Sequence, residues 1–87
     1  MAATYNFKVL TPNRKEIDQP VVSIVAPGTD GYLGVLANHA PLITTLRAGD
    51  LKVKFEDDRE AHYAIGSGIL KVENNVAILL TESIAPA

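Results

Sequence analysis

The stretch Asp50-Leu51-Lys52-Val53-Lys54-Phe55-Glu56 alternates without a break. Leu51, Val53 and Phe55 fall on one face and Lys52, Lys54 and Glu56 on the other, the period-two pattern of a strand with one side buried. Asp57-Asp58 follows as a turn signal, because short polar side chains suit turn geometry, and Arg59–Ile65 predicts the returning strand. Upstream, Tyr5-Asn6-Phe7-Lys8-Val9 repeats the period with Tyr5, Phe7 and Val9 inward. Downstream, Ile69–Glu73 predicts a strand joined through Asn74-Asn75 to the apolar run Val76–Leu80. Asparagine tolerates the positive φ of a type I′ hairpin turn. Val21–Ala26 and Val76–Leu80, continuous and rich in β-branched residues, are expected where both faces are covered.

Further breaks fall at Pro12-Asn13, Pro20, Pro27-Gly28, Ala48-Gly49 and Gly66-Ser67-Gly68. Short strands with a turn every 8–12 residues or so predict a sandwich or barrel. His39–Leu46 could be helix or strand, but Pro41 and the β-branched pair Thr44-Thr45 favour an extended segment. The expectation is an all-β fold, with residues 1–87 as a single domain.

Composition narrows the function classes. The 87 residues are 47% hydrophobic and 21% charged, the balance of a chain with enough apolar surface for a packed core. Cysteine is absent, which removes disulfides, thiolate metal sites and thiol nucleophiles. A net charge of −2 and only five aromatics (Tyr5, Phe7, Tyr32, Phe55, Tyr63) leave little for phosphate capture or base stacking, so no nucleic-acid partner is expected. The longest aliphatic run, Val76–Leu80, is far below the roughly 18 residues of a membrane span. The start, MAATYNFKVL, lacks the basic-then-apolar layout of a secretory signal. The expectation is a soluble intracellular domain, a monomer when isolated, with no direct membrane insertion.

No constellation for catalysis, a metal or a cofactor emerges. His39 and His62 lie 23 positions apart with no cysteine to complete a ligand set. Glu56-Asp57-Asp58-Arg59-Glu60 lacks the alternating ligands and central glycine of a calcium loop and reads as a solvated hairpin tip. Gly66-Ser67-Gly68 opens like a dinucleotide fingerprint, but Lys71 stands where the third glycine belongs and no helix follows. Gly28, Gly31 and Gly34 never reach a Gly-Lys-Ser/Thr ending, and are expected to free backbone positions that a Cβ would obstruct. Ser23 or Ser67 with His62 and Asp50 can be drawn as a triad, as in any chain of this size.

One segment stands apart. Residues 31–46, Gly-Tyr-Leu-Gly-Val-Leu-Ala-Asn-His-Ala-Pro-Leu-Ile-Thr-Thr-Leu, hold no Lys, Arg, Asp or Glu. Either the segment is core, which a small domain needs, or part of it is a docking surface, since interface centres are depleted in charge.

Residues 31–49 resemble the hallmark of the ε subunit of F-type ATP synthase, called δ in mitochondria. The family pattern is Gly-x-x-Gly-aliphatic-x-x-x-His-Ala-Pro-aliphatic-aliphatic-Thr, running on to a glycine before the next strand. Ala64–Val76 resembles the family's Gly-Gly-aliphatic-aliphatic-x-Val, Asn-containing turn and final apolar strand, and Phe7–Pro12 fits its opening strand. The likeness spans essentially the whole chain. It implies a flattened β-sandwich of about ten strands and a non-catalytic role in the central stalk, where the subunit joins γ to the ring of c subunits. Its place would be peripheral, on the cytoplasmic face of a bacterial cell membrane or the equivalent face of an organelle membrane. The resemblance implies c-ring contacts at Thr29, Asp30, Gly31 and Tyr32, γ contacts at His39, Ala40, Pro41 and Leu42, and core positions at Leu33, Val35 and Ile43. His39 would be a contact, not an acid or base. The family's two-helix C-terminal hairpin, which can bind ATP or inhibit hydrolysis, would lie past Ala87, so neither function is expected of these residues. The alternative is a free-standing sandwich or barrel that binds a small ligand or peptide.

Overall fold

In a computed structural model that describes residues 3–87, every regular element among the described residues is a strand. Met1 and Ala2, the first residues of the expected 1–87 domain, lie outside the described residues. The strands are β1 (Tyr5–Leu10), β2 (Lys15–Gly28), β3 (Gly31–Leu36), β4 (Leu42–Leu46), β5 (Gly49–Phe55), β6 (Glu60–Ile65), β7 (Gly68–Glu73), β8 (Val76–Thr81) and β9 (Ile84–Pro86). All neighbours pair antiparallel except β1 and β8, which run parallel with Phe7 opposite Ala77.

The 14-residue β2 organises the fold. Its first half pairs with β1, from Lys15 opposite Leu10 to Val21 opposite Tyr5. A register shift between Val21 and Ser23 bends it, and its second half pairs with β5 and β3 instead. One strand thus serves two layers, β2-β1-β8-β7-β4 and β3-β2-β5-β6-β9. The nine strands therefore supply the roughly ten strand segments of the expected sandwich. Pro20, expected as a break, instead lies within β2 beside this bend, exposed, where its missing N–H is tolerated.

The core lies between the layers. Phe7, Val9, Leu70 and Leu79 from the first layer meet Ile24, Val35, Leu51 and Val53 from the second, each at most 1% exposed. Tyr5 ties the layers together, its hydroxyl donating to the carbonyl of Val35 at 2.7 Å. Burial pushes its phenol above the ordinary value of 10.0. The neutral form is the one favoured by folding, so the contribution is present below pH 10 and fades as pH rises beyond it. Tyr5→Phe is expected to lose about 1 kcal/mol at pH 7 and to show a flatter decline in alkali than the parent, read from urea midpoints between pH 8 and 11.

The turn chemistry follows the residues. Asn74 and Asn75 sit at φ 54° and 60°, and Asp58 at 66°. Two expectations fail on phase. Ile43, expected in the core with Leu33 and Val35, is 71% exposed, because Leu42 and Leu46 turn inward on β4 and leave Ile43 on the other face. Val76–Leu80 is not covered on both faces: Ala77 and Leu79 point inward while Leu80 is exposed.

Candidate functional site

The connections gather at two ends of the sandwich. At one end lie Thr29-Asp30, Arg47-Ala48, Gly66-Ser67 and Glu82-Ser83, tied by Thr29 N to Thr45 O (3.2 Å) and Gly66 N to Ser83 O (3.1 Å). At the other lie residues 37–41, the 56–59 tip and Asn74-Asn75. β3 runs from one end to the other, and six extended residues span roughly 20 Å. The two predicted contact groups therefore sit apart: Thr29, Asp30, Gly31 and Tyr32 open β3, while His39, Ala40, Pro41 and Leu42 follow its far end.

The first group is a two-residue hairpin turn between the paired Gly28 and Gly31. Gly31 adopts φ 129°, outside the range of L side chains. At Gly28 a Cβ would meet the Gly31 carbonyl oxygen at 2.7 Å. The sequence pattern did not single out Arg47, which braces this turn. Its guanidinium lies 5.6 Å from the centroid of the Tyr32 ring, and its Nε donates to the Gly28 carbonyl at 3.3 Å. Tyr32 and Asp30 stay exposed, so the turn offers an aromatic face, a carboxylate and a guanidinium to whatever lies at that end.

The second group is an uncharged loop. His39, Ala40 and Pro41 are exposed, Leu42 is half-buried against the core, and His39 Nδ1 lies 2.7 Å from the Ala40 carbonyl. Pro41, Leu42 and Ile43 also line an open hollow of ≈ 470 Å³ with Lys71, Val72 and Glu73. From there an apolar face extends across the outside of the first layer. Ile43, Ile69 and Leu80 are 71%, 45% and 48% exposed. Cross-strand pairing places Ile69 beside Leu80, Leu80 beside Leu10, and Ile78 between Lys8 and Lys71. A second open hollow, also ≈ 470 Å³, lies at the opposite rim of this face between Leu10, Pro12, Ile69 and Leu80. Ile69 was legible in the alternation, since Leu70 and Val72 inward put Ile69 in the outward row with Lys71 and Glu73. On the outer face of the second layer the exposed Tyr32 and Leu36 of β3 stand beside a charged stripe, with Lys52 3.8 Å from Glu60 and His62 3.0 Å from Asp50.

Among the described residues, those weighed for chemistry stay apart, save for Asp50 and His62. His39 and His62 occupy different elements, and the described residues hold no group of three His, Cys, Asp or Glu placed for a metal. The Asp50–His62 pair forms on exposed side chains, and among the described residues neither Ser23 nor Ser67 is hydrogen-bonded to an imidazole. Among the described residues no helix is long and apolar enough to cross a membrane.

A family model described as the ATP synthase, delta/epsilon chain, β-sandwich domain matches residues 4–87. The chain belongs to that family. Among curated relatives, the ATP synthase epsilon chain of Moorella thermoacetica is 37% identical over 81 residues, which are 93% of this chain and 60% of that protein. The epsilon chain of Chlorobium limicola is 33% identical over 81 residues, 93% of this chain and 92% of its own. The chain thus spans about 60% of the length of one epsilon-chain relative and nearly all of another. A chain in the cryo-EM structure of the Euglena gracilis mitochondrial ATP synthase, with OSCP, F1 and c-ring, superposes with a TM-score of 0.91 at 25% identity, covering 99% of this chain and 55% of that one. A chain of the Tetrahymena thermophila central stalk and c-ring structure shares the fold, with a TM-score of 0.80 at 15% identity and coverage of 98% and 68%. Within this delta/epsilon family, the present chain's uncharged segment divides by strand phase: Val35 and Leu46 are core, while Tyr32, Leu36 and Ile43 face outward.

Proposed function

We propose that this delta/epsilon-family domain is a non-catalytic rotor subunit of the proton-translocating F-type ATP synthase, linking γ to the c ring. The reading rests on one observation above the others: an apolar face left open on one layer, continuous with the uncharged His39–Leu42 loop. Ile43, Ile69 and Leu80 with that loop form the γ surface. The Thr29–Tyr32 turn, braced by Arg47, forms the c-ring surface at the opposite end. One partner along the face of a layer and another at one end suit a piece that transmits torque, and β2, hydrogen-bonded into both layers, resists shear between them. The domain brings no chemistry of its own. It works peripherally, without insertion, on the cytoplasmic face of a bacterial membrane or the equivalent face of an organelle membrane.

Co-purification with γ and c subunits tests the proposal. Ala40 is exposed, so Ala40→Glu should fold normally and lower retention on γ about tenfold or more by placing an unpaired charge in a desolvated contact. Leu42→Asp should weaken γ binding as well, with some loss of stability because Leu42 also packs on the core. Unchanged γ binding by folded Ala40→Glu would show the surface is elsewhere.

A further inference from the structure

The loop joining β3 to β4 has little of its own to fix it. Residues 38–41 are all exposed and lie between strands, and among the described residues the His39 imidazole is hydrogen-bonded only to the neighbouring Ala40 carbonyl. Asn38 holds φ 63°, which in isolation is one conformer among several. What ties it down comes from 37 positions away: the Asn38 N–H donates to Asn75 Oδ1 at 2.7 Å.

Asn75 makes three such ties. It is the second residue of the β7–β8 turn, at φ 60°. Its Nδ2 donates to the Thr4 carbonyl at 3.0 Å, and its own carbonyl accepts from Asn6 N at 3.3 Å. The partners fix the amide's orientation, since a backbone N–H can only donate and a carbonyl can only accept. Asparagine suits the position because its short amide supplies an acceptor and a donor together and it tolerates positive φ. Aspartate keeps the acceptor but loses the donor, and glycine keeps the positive φ but loses both side-chain bonds.

From this arrangement we infer that Asn75 is a positioning residue: it clamps the Asn38–Pro41 loop and the entry to β1 onto one turn, so that the loop meets its partner already formed. A loop ordered in advance avoids the cost of ordering on contact. The identity of that partner as γ rests on the reading proposed above; the clamp does not.

Two measurements on the 87-residue chain keep these apart. Amide hydrogen exchange by NMR reads the clamp alone. In Asn75→Gly, the Asn38 amide is expected to exchange about tenfold faster while the core amides of Phe7 and Leu70 stay unchanged. Asn75→Asp, which keeps the acceptor, is expected to restore Asn38 protection. An unchanged Asn38 amide in Asn75→Gly, or acceleration of all amides together, overturns the clamp. Affinity for purified γ reads its purpose. Asn75→Gly is expected to bind about three- to tenfold more weakly, through slower association, with Asn75→Asp closer to the parent. Equal affinity of Asn75→Gly and the parent would overturn the positioning role. Absence of γ binding by the parent would overturn the partner instead, with the exchange data still deciding the clamp.

Discussion

Ile43→Asp is expected to leave the domain folded and to lower its affinity for γ by two orders of magnitude or more. The fold tolerates the change because Ile43 is 71% exposed and stands directly opposite Lys71 on β7. A cross-strand pair of opposite charge contributes a few tenths of a kcal/mol, offsetting much of the lost strand propensity, which spans about 1 kcal/mol. Binding has no such compensation. In the proposed contact, burying the isoleucine against γ would contribute about 1.5–3 kcal/mol. A carboxylate in its place must also be desolvated, at several kcal/mol, with Lys71 already 3.5 Å from Glu73 and unable to serve both fully. The total exceeds about 3 kcal/mol, or roughly a hundredfold. Ile43→Ala, which loses only the burial, should fall about tenfold. Titration calorimetry against γ, with melting curves as control, reads both. Binding of Ile43→Asp within about threefold of the parent, at an unchanged melting temperature, would remove the apolar face from the interface.

Ile43 also marks where sequence reading stops. The alternating strands were legible residue by residue, because in Leu51, Val53 and Phe55 polarity and direction agree. The same held for Tyr5, Phe7 and Val9, all buried as their pattern required. On β4 and β8 apolar residues fill neighbouring positions and the threonines fall on either face, Thr81 buried and Thr45 exposed, so polarity carries no phase information. There the direction is set by tertiary pairing: Leu46 closes the first layer against Gly28, and Leu79 faces Leu70. Ile43 and Leu80 are left on the outside as a consequence. The His-Ala-Pro loop was legible as a motif, but its restraint by Asn75 was not. A bond between residues 37 positions apart leaves no periodic trace in one sequence. Arg47 escaped for a similar reason, since its contact with Tyr32 depends on two turns meeting at one end. The pattern therefore yields the layers and most of the core, whereas the exposed apolar face emerges only once the layers are assembled.

Gly68→Ala is expected to be the most damaging single-methyl change in the chain, and Gly66→Ala, two residues away, nearly silent. At Gly68 an added Cβ would land on the carbonyl oxygen of Leu80 and lie 3.0 Å from the Thr81 Cα, both backbone atoms of the paired strand β8. Backbone cannot rotate aside. β7 and β8 would have to separate at that end, pulling on the Thr81 hydroxyl, which is buried within reach of the carbonyls of Gly66 (3.0 Å), Ser67 (3.2 Å) and Ser83 (3.2 Å). The wedge would also disturb Leu70 and Leu79, both fully buried two residues further in. Overpacking of this kind costs up to about 3 kcal/mol or more. That is a large share of the stability of an 87-residue domain, about 4–13 kcal/mol, and corresponds to a fall of more than about 10 °C in melting temperature. At Gly66 the Cβ would meet Ser83 Oγ at 3.2 Å and Glu82 Oε2 at 3.3 Å, both exposed side-chain ends that can move, and Glu82 Cβ at 3.3 Å, a contact relieved by a small shift of the exposed 82–83 turn. Its cost should stay below about 1 kcal/mol. Calorimetric melting of the two variants decides the matter. A Gly68→Ala protein melting within about 3 °C of the parent would mean that β7 and β8 lie further apart than this packing requires. The expected contrast assigns the second glycine of Gly66-Ser67-Gly68 to the close approach of two strands, an approach that a phosphate-binding loop would not need.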